Sequence, residues 1–373
     1  MLPRWYPNRL DIQLGIFIQR QLLLMQEEYD FYLVYVQAVP NLDRAYEKVK
    51  SHSHGFTEHV VYFRSASGPF RKILNFLRYR KAQRMGLEDL PNSFDLCHIH
   101  VPYRSAMPAL KRKKSHKTPY LITEHWSGHL NGKFTDKNAI DQWLYKRLVK
   151  GADKISTVSQ VLQKAFLENT GISSVVIPNY IEKASPLQKS SNQNAIHLLS
   201  VGDIHDATKN FSGLLRAFKS ALEQLPNLQL TIIGDGPDSQ KVQSLAHELN
   251  LLDKTVFFKG RLPHHQVLKE IATCDYYVCN SNHETFGMTV AEALYAGKPV
   301  ICTRCGGPEE FMNSDNGQLI TPDNEEELEQ AIRQMSKNYK SYQAEQLIKP
   351  IEEKFGRTAV KTAWIDFYES INA

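Results

Sequence analysis

A chain of 373 residues, 42% apolar and 23% charged, suits about two globular domains and excludes a disordered or fibrous protein. No apolar stretch approaches the ~20 residues of a membrane span. The opening MLPRWYPNRLD lacks the charged-then-apolar order of a secretion signal, so a soluble, cytoplasmic protein is expected. The net charge of +5 is divided unevenly. Residues 1–185 hold 27 Lys+Arg against 16 Asp+Glu, or +11, and the remainder 18 against 24, or −6. A basic front half suits a phosphate-rich or membrane-surface partner, or simply a solvated surface.

Short apolar runs alternate with segments of helical period from end to end, which argues for parallel sheets covered by helices. Strands are predicted at Phe31–Ala38, Val60–Phe63, Asp95–Ile99, Pro119–Thr123, Lys154–Val158 and Val175–Ile177. Helices fit Gly15–Gln26, Pro69–Met85, Ser105–Lys113, Ile140–Val149 and Ser159–Asn169. A doubly wound domain opens with a central strand, yet only Met1–Leu2 precede the loop Pro3–Asp11. The first strand is therefore expected upstream of Met1. The helix Pro69–Met85 pairs Phe70, Ile73, Leu74 and Leu77 with Arg71, Lys72, Arg78, Arg80, Lys81 and Arg84. Such a helix either lies on an anionic membrane or covers the first sheet. Lys111–Lys114 (KRKK) complements a helix dipole and needs no partner. His52/His54 and His98/His100 read as surface-loop and strand-end residues, not metal ligands.

The polar, Ser-rich Lys183–Asn194 reads as a linker, after which the pattern restarts. Strands follow at Ala195–Val201, Leu228–Ile233, Val256–Lys259, Tyr276–Asn280 and Pro299–Cys302. The helices between and after them fall near Asn210–Gln224, Ser239–Asn250, His264–Thr273, Thr289–Ala296 and Glu325–Lys337. The expected domains are 1–182 and 195–350. Helices over 351–373 complete the chain, the last (Thr358–Ile371) packing its Trp364/Phe367 stripe on the first domain. Five cysteines do not make a disulfide framework. Cys274, Cys279, Cys302 and Cys305 (C-x4-C, then C-x2-C) have the outline of zinc spacing. Cys279 and Cys302 nevertheless read as buried strand residues, and no metal is expected there.

The richest stretch is Asn280–Glu310, NSNHETFGMTVAEALYAGKPVICTRCGGPEE. A strand ends, a loop follows, and a helix starts near Gly287–Thr289. Amides of Gly287, Met288 and Thr289 then face the strand ends, an arrangement that binds phosphate. Glu284 and Glu292 would stand on either side of that phosphate, which suits gripping hydroxyl-rich groups on both flanks, such as two sugars joined by a diphosphate. Alternatively, Glu292 is an ordinary solvated helix residue.

This E-x7-E, followed by AGKPVI and GG-x-x-E, resembles the retaining family-four glycosyltransferases of the GT-B fold. LPRWYPN with Gly15-Ile16-Phe17, ITEHWSG, ADKISTVS, VIPNYI, Lys209-Asn210 and LTIIGDGP, in that order, extend the resemblance through nearly the whole chain. It implies an α/β fold of two Rossmann-like doubly wound domains facing each other across a cleft. Glu284 would hold donor-sugar hydroxyls, Glu292 the ribose, and amides over Phe286–Thr289, beside Thr285, the diphosphate. Lys209 would meet the leaving phosphate, while Gly202, Gly234 and Gly236 let the backbone approach the donor. The base would be read near Gly260–Leu262, with Arg261 and Leu262. His125 would lie near the anomeric carbon and Gly15 on the acceptor side.

The implied activity moves a sugar from a nucleotide-sugar donor to a glycan or lipid-linked acceptor, in surface polysaccharide or glycolipid biosynthesis. Stereochemistry is retained, and the expected location is the cytoplasm, extending to a peripheral position on the inner face of the cell membrane. No D-x-D triplet occurs, so no metal or other cofactor is expected. One position departs: the family's arginine before the lysine is Asp203 here, leaving Lys209 to act alone or with His205, Arg261 or Arg304. Alternatives are a non-catalytic nucleotide-sugar-binding protein and, on the same fold, a sugar-nucleotide epimerase or glycan phosphorylase. A nucleic-acid partner is not expected, for no recognition module is present.

Overall fold

The computed structural model describes residues 1–52, 55–184 and 195–371. It divides into two compact units. The first comprises 1–158, 162–177 and the end of the chain from Lys361; the second comprises 159–161 and 178–360. Most of the linker read at Lys183–Asn194 lies outside the described residues, as does His54.

The early elements are β1 (Leu2–Pro3), α1 (Ile16–Met25), β2 (Tyr32–Val39), β3 (Tyr46–Ser51), β4 (Thr57–Arg64), α2 (Arg71–Leu87) and β5 (Cys97–His100). They are followed by α3 (Met107–His116), β6 (Tyr120–Glu124), α4 (Ala139–Lys150), β7 (Lys154–Thr157), α5 (Gln160–Thr170) and β8 (Val175–Val176). One parallel sheet runs β1-β5-β6-β7-β8 and a three-stranded sheet runs β2-β4-β3. Met1 stitches them together: its amino group donates to Tyr32 O at 2.7 Å and its carbonyl accepts from Val34 N at 3.0 Å. Leu2 and Pro3 pair with Ile99 and His100.

β3 was not foreseen, because YEKVKS is polar and half exposed; it pairs antiparallel with β4. His98 and His100 lie at the end of a strand, as read, and are fully buried in β5. Helix α2 divides between its two readings. Ala82 and Gly86 lie buried, and a Cβ on Gly86 would come 2.5 Å from Val34 Cγ1. By contrast, Phe70, Ile73 and Leu77 are 70%, 63% and 57% exposed, so only the second half covers a sheet.

The second unit holds β9 (Ile196–Val201), α6 (Asp206–Lys209), α7 (Phe211–Gln224), β10 (Leu228–Ile233), α8 (Ser239–Glu248) and β11 (Val256–Phe258). Then come α9 (His264–Thr273), β12 (Tyr276–Cys279), α10 (Met288–Tyr295), β13 (Val300–Thr303), β14 (Gly317–Ile320), α11 (Glu325–Asn338) and α12 (Ala344–Phe355). The last helix, α13 (Arg357–Glu369), enters the first unit at Lys361. There the Trp364 ring lies 5.4 Å from His98, and the Tyr368 hydroxyl is 2.9 Å from His98 Nδ1.

All strands of the second sheet are parallel, in the order β11-β10-β9-β12-β13-β14. Their apolar runs are buried on both faces, as helices on both sides require. Helix α7 packs Phe211, Leu214, Leu215 and Phe218 into this core, a spacing of three and four that makes one stripe. The Asn210 side chain caps it by accepting from Gly213 N at 3.1 Å. Strand order reverses between β9 and β12, and such a switch point opens a crevice at the carboxyl ends where ligands bind.

Candidate active site

Lys209 and Glu284 come from the two strands flanking that switch point. After β9 the chain runs through the single turn α6, which ends at Lys209. After β12 it loops through Glu284 to the start of α10. The loops are tied together: Asn282 N donates to Thr208 O at 2.7 Å and Asn280 Nδ2 to Asn210 O at 2.9 Å. The Lys209 ammonium donates to Glu284 Oε1, which also accepts from the Ser281 hydroxyl at 2.8 Å. Burial opposes it, yet the Glu284 carboxylate, aided by Cys279 and Cys305, holds the Lys209 pKa above its ordinary value. Gly202 leaves room for this lysine, since a Cβ there would sit 3.3 Å from Lys209 Cε.

Glu284 is anchored at its backbone as well. Its N–H donates to Cys305 O at 2.8 Å, and its carbonyl accepts from Gly307 N at 2.9 Å. Beyond it, Thr285 is half-buried and Phe286 packs on Phe311 and Phe355. Gly287, at φ 85°, begins α10 in the left-handed region, and no side chain caps the helix. The first amides, from Gly287, Met288 and Thr289, thus have no intrahelical acceptor and carry the positive end of the helix dipole. The Thr289 hydroxyl accepts from Tyr277 at 2.8 Å. One helical turn on, Glu292 is 2% exposed and bonded to His264 Nε2 at 2.8 Å. It is not an ordinary solvated helix residue.

The neighbouring strand ends complete the rim. A Cβ on Gly234 would fall 1.8 Å from Gly202 O, and one on Gly236 2.5 Å from Ile204 O. These glycines let the β9 and β10 loops touch. Arg261, followed by Leu262 after β11, pairs with Asp203 at 3.0 Å, whereas Arg304 lies 3.8 Å from Glu309. Of the cations suggested beside Lys209, Arg261 is thus tied to the departing position itself.

His125 and Gly15 belong to the first unit. Gly15, at φ 65°, begins α1, and a Cβ there would lie 2.6 Å from the Trp5 backbone. His125 is buried, 3.0 Å from His100 Nδ1 through Nε2 and 4.5 Å from the Phe17 ring. Burial lowers its pKa to about 4, so the imidazole is neutral at pH 7. Glu124 builds this turn: its Oε1 accepts from His125 N at 2.9 Å and Trp126 N at 2.8 Å. Oε2 accepts from the Tyr145 hydroxyl. Burial opposes ionisation, but His129, Tyr145 and the Trp126 amide hold the Glu124 carboxyl below its usual pKa.

Two successive family models match the chain: Glycosyltransferase Family 4 over residues 23–184 and Glycosyl transferases group 1 over 183–352. The chain belongs to the family-four glycosyltransferases. This glycosyltransferase is 27% identical over 271 residues to an uncharacterized glycosyltransferase of Methanocaldococcus jannaschii, covering 72% of each chain. It is 27% identical over 263 residues to the putative teichuronic acid biosynthesis glycosyltransferase TuaC of Bacillus subtilis, covering 69% of this chain and 63% of that one. The fold is GT-B. Anabaena HepE, solved in complex with UDP and glucose, superposes with a TM-score of 0.74 at 16% identity, over 99% of this chain and 98% of that one.

Sequence reasoning missed four residues of the glycosyltransferase. Glu124 had a signal, a carboxylate closing an otherwise apolar strand. His264 was read only as opening a helix, which it does, and its bond to Glu292 depends on the fold. Ser281 had no distinguishing sequence signal, and His100 was singled out only as a strand-end residue, its contact with His125 depending on the fold. Cys279 and Cys302 are buried strand residues, as read. Of the four spaced cysteines, Cys274 Sγ donates to Ile271 O at 3.2 Å, while Cys279, Cys302 and Cys305 gather together.

Proposed function

We propose that the glycosyltransferase moves a sugar, with retention and without a metal cofactor, from a nucleoside diphosphate sugar to a glycan or lipid-linked acceptor. The observation that carries this reading is the uncapped start of α10 beside the Lys209–Glu284 pair at the switch point. Amides and an ammonium converge where a diphosphate needs charge compensation. A carboxylate with a free lone pair stands alongside for sugar hydroxyls. Glu292, held by His264, takes the ribose.

In the reaction, the acceptor oxygen bonds to the anomeric carbon as that carbon's bond to the phosphate oxygen breaks. The acceptor proton passes to the departing phosphate on the same face. Negative charge grows on that phosphate, and preorganised donors there are worth several kcal/mol. Glu284 positions the sugar rather than attacking it. Similarity to a teichuronic acid glycosyltransferase and to a UDP-bound structure supports a surface-glycan acceptor and makes UDP the first nucleotide to test. No helix among the described residues is long and apolar enough to cross a membrane. The exposed Phe70, Ile73, Leu74 and Leu77 on basic α2 give a surface for peripheral contact with anionic lipid.

Thermal-shift screening of UDP, GDP, ADP and their sugars tests the donor site, since a bound ligand raises apparent stability. One nucleotide should stabilise the wild type. Glu292→Gln should weaken that effect, and Glu284→Gln should abolish transfer while sparing binding of the bare diphosphate. Transfer should proceed without added Mg2+ or Mn2+. Donor binding without transfer or hydrolysis would point to a sensor, and strict manganese dependence would refute metal independence.

A further inference from the structure

Cys279 and Cys302 are register partners on the neighbouring parallel strands β12 and β13, so their side chains leave one face of the sheet. Cys305 follows Cys302 by three residues, past the end of β13, and returns to them. The three sulfurs lie within 4.8 Å of one another, in residues 5% exposed or less. Among the described residues, this is the only such convergence of three metal-ligating side chains.

We propose that Cys279, Cys302 and Cys305 form a binding site for a single thiophilic divalent cation of the zinc class. Zinc–sulfur bonds of about 2.3 Å at tetrahedral angles place sulfurs about 3.8 Å apart. Closing the cluster from its present spacing needs movements of less than about 1 Å per pair. The C-x2-C spacing of Cys302 and Cys305 is that of a chelating pair. Three protein ligands leave a fourth position, and the Ser281 hydroxyl lies 3.5 Å from Cys279 Sγ. Cation binding would clamp the Glu284 loop at its start and at Glu284 itself, for Cys279 ends the strand leading into it and the Cys305 carbonyl accepts from Glu284 N. The site rests on sulfur geometry alone and stands whether or not the donor reading holds.

The test titrates the reduced, metal-free, full-length protein with Cd2+ alone, following the near-ultraviolet thiolate-to-metal charge-transfer band. Zn2+ is then used as a competitor. One Cd2+ should bind per chain, and Zn2+ should abolish the band. Cys302→Ser should weaken binding by more than about tenfold, whereas Cys97→Ser and Cys274→Ser should not. A variant that fails to fold does not stop the test, because alkylation of the wild type gives a second readout. At the onset of urea unfolding, where buried thiols open to reagent, bound Zn2+ should slow alkylation of Cys279, Cys302 and Cys305 more than that of Cys97 and Cys274, when alkylated peptides are mapped by mass spectrometry. Absence of a band in the wild type, or shielding of a different set of thiols, would overturn the proposal.

Discussion

Replacing Lys209 by methionine removes the ammonium while keeping an apolar stem of similar length. Glu284 is left with the Ser281 hydroxyl as a donor but without its counter-charge. Breaking a fully buried pair costs ~3–5 kcal/mol. Here the two side chains are 23% and 16% exposed, so solvent offsets part of the loss and about 2 kcal/mol is expected. At ~2–4 °C per kcal/mol for a domain of this size, melting should fall by about 4–8 °C. The double variant Lys209→Met/Glu284→Gln removes the stranded charge and should recover most of that fall. Nucleotide affinity should not recover. A charged hydrogen bond to phosphate contributes ~1.5–3 kcal/mol, so both variants should bind UDP about 10–150-fold more weakly. Differential scanning fluorimetry and isothermal titration calorimetry measure the two effects separately. Wild-type melting in Lys209→Met would refute the pairing argument, and unchanged UDP affinity would remove Lys209 from the phosphate.

His125 gives a pH prediction. The unfolded chain takes up its proton near pH 6.5 and the folded chain only near pH 4. The resulting stability is therefore complete above about pH 6.5 and is lost as pH falls towards 4, by at most about 3 kcal/mol. Urea unfolding of His125→Phe between pH 4.5 and 7.5 should show a shallower slope; an identical slope contradicts the burial argument. On α2, Ile73→Glu/Leu77→Glu should abolish sedimentation with anionic vesicles and leave stability within about 0.5 kcal/mol. Undiminished sedimentation would move the membrane contact elsewhere. Gly234→Ala places a Cβ at φ 144° against the Gly202 carbonyl and should destabilise by more than about 2 kcal/mol, measured by urea unfolding.

Buried parallel strands were readable because they are runs of apolar residues bounded by turn signals; Leu228–Ile233 was placed to the residue. β14 and α12 were not. GQLI is a four-residue strand that follows a loop, and α12 carries Pro350 within it, which hides its helical period. β1 itself was not foreseen, because two residues have no periodicity and only their pairing with β5 makes them a strand. Glu284, Glu292 and Lys209 were placed by spacing and resemblance. What holds them could not be read: Ser281, His264 and the glycine contacts arise from loops that meet only when the sheet forms. The exposure of the first half of α2 was also hidden, since an amphipathic stripe looks the same whether a sheet covers it or not.

Position 203 decides how much the proposed site relies on amides. Where the family has an arginine, this chain has an acid, and Arg261 reaches it from the loop after β11. A cation is therefore present, but part of its charge is already spent on Asp203, as that of Lys209 is on Glu284. The four formal charges cancel, so side chains alone bring no net attraction to an arriving diphosphate. Under the proposed reading, the α10 amides must supply it, for they are fixed dipoles that need no partner to be released. Sugar hydroxyls then matter to binding as well as to transfer: by donating to Glu284, they free Lys209 for the phosphate. A donor carrying its sugar gains both interactions together, while a bare diphosphate must take Lys209 and leave Glu284 with Ser281 alone. On this view the acid at 203 does not mark a dead enzyme. It shifts discrimination towards the complete donor.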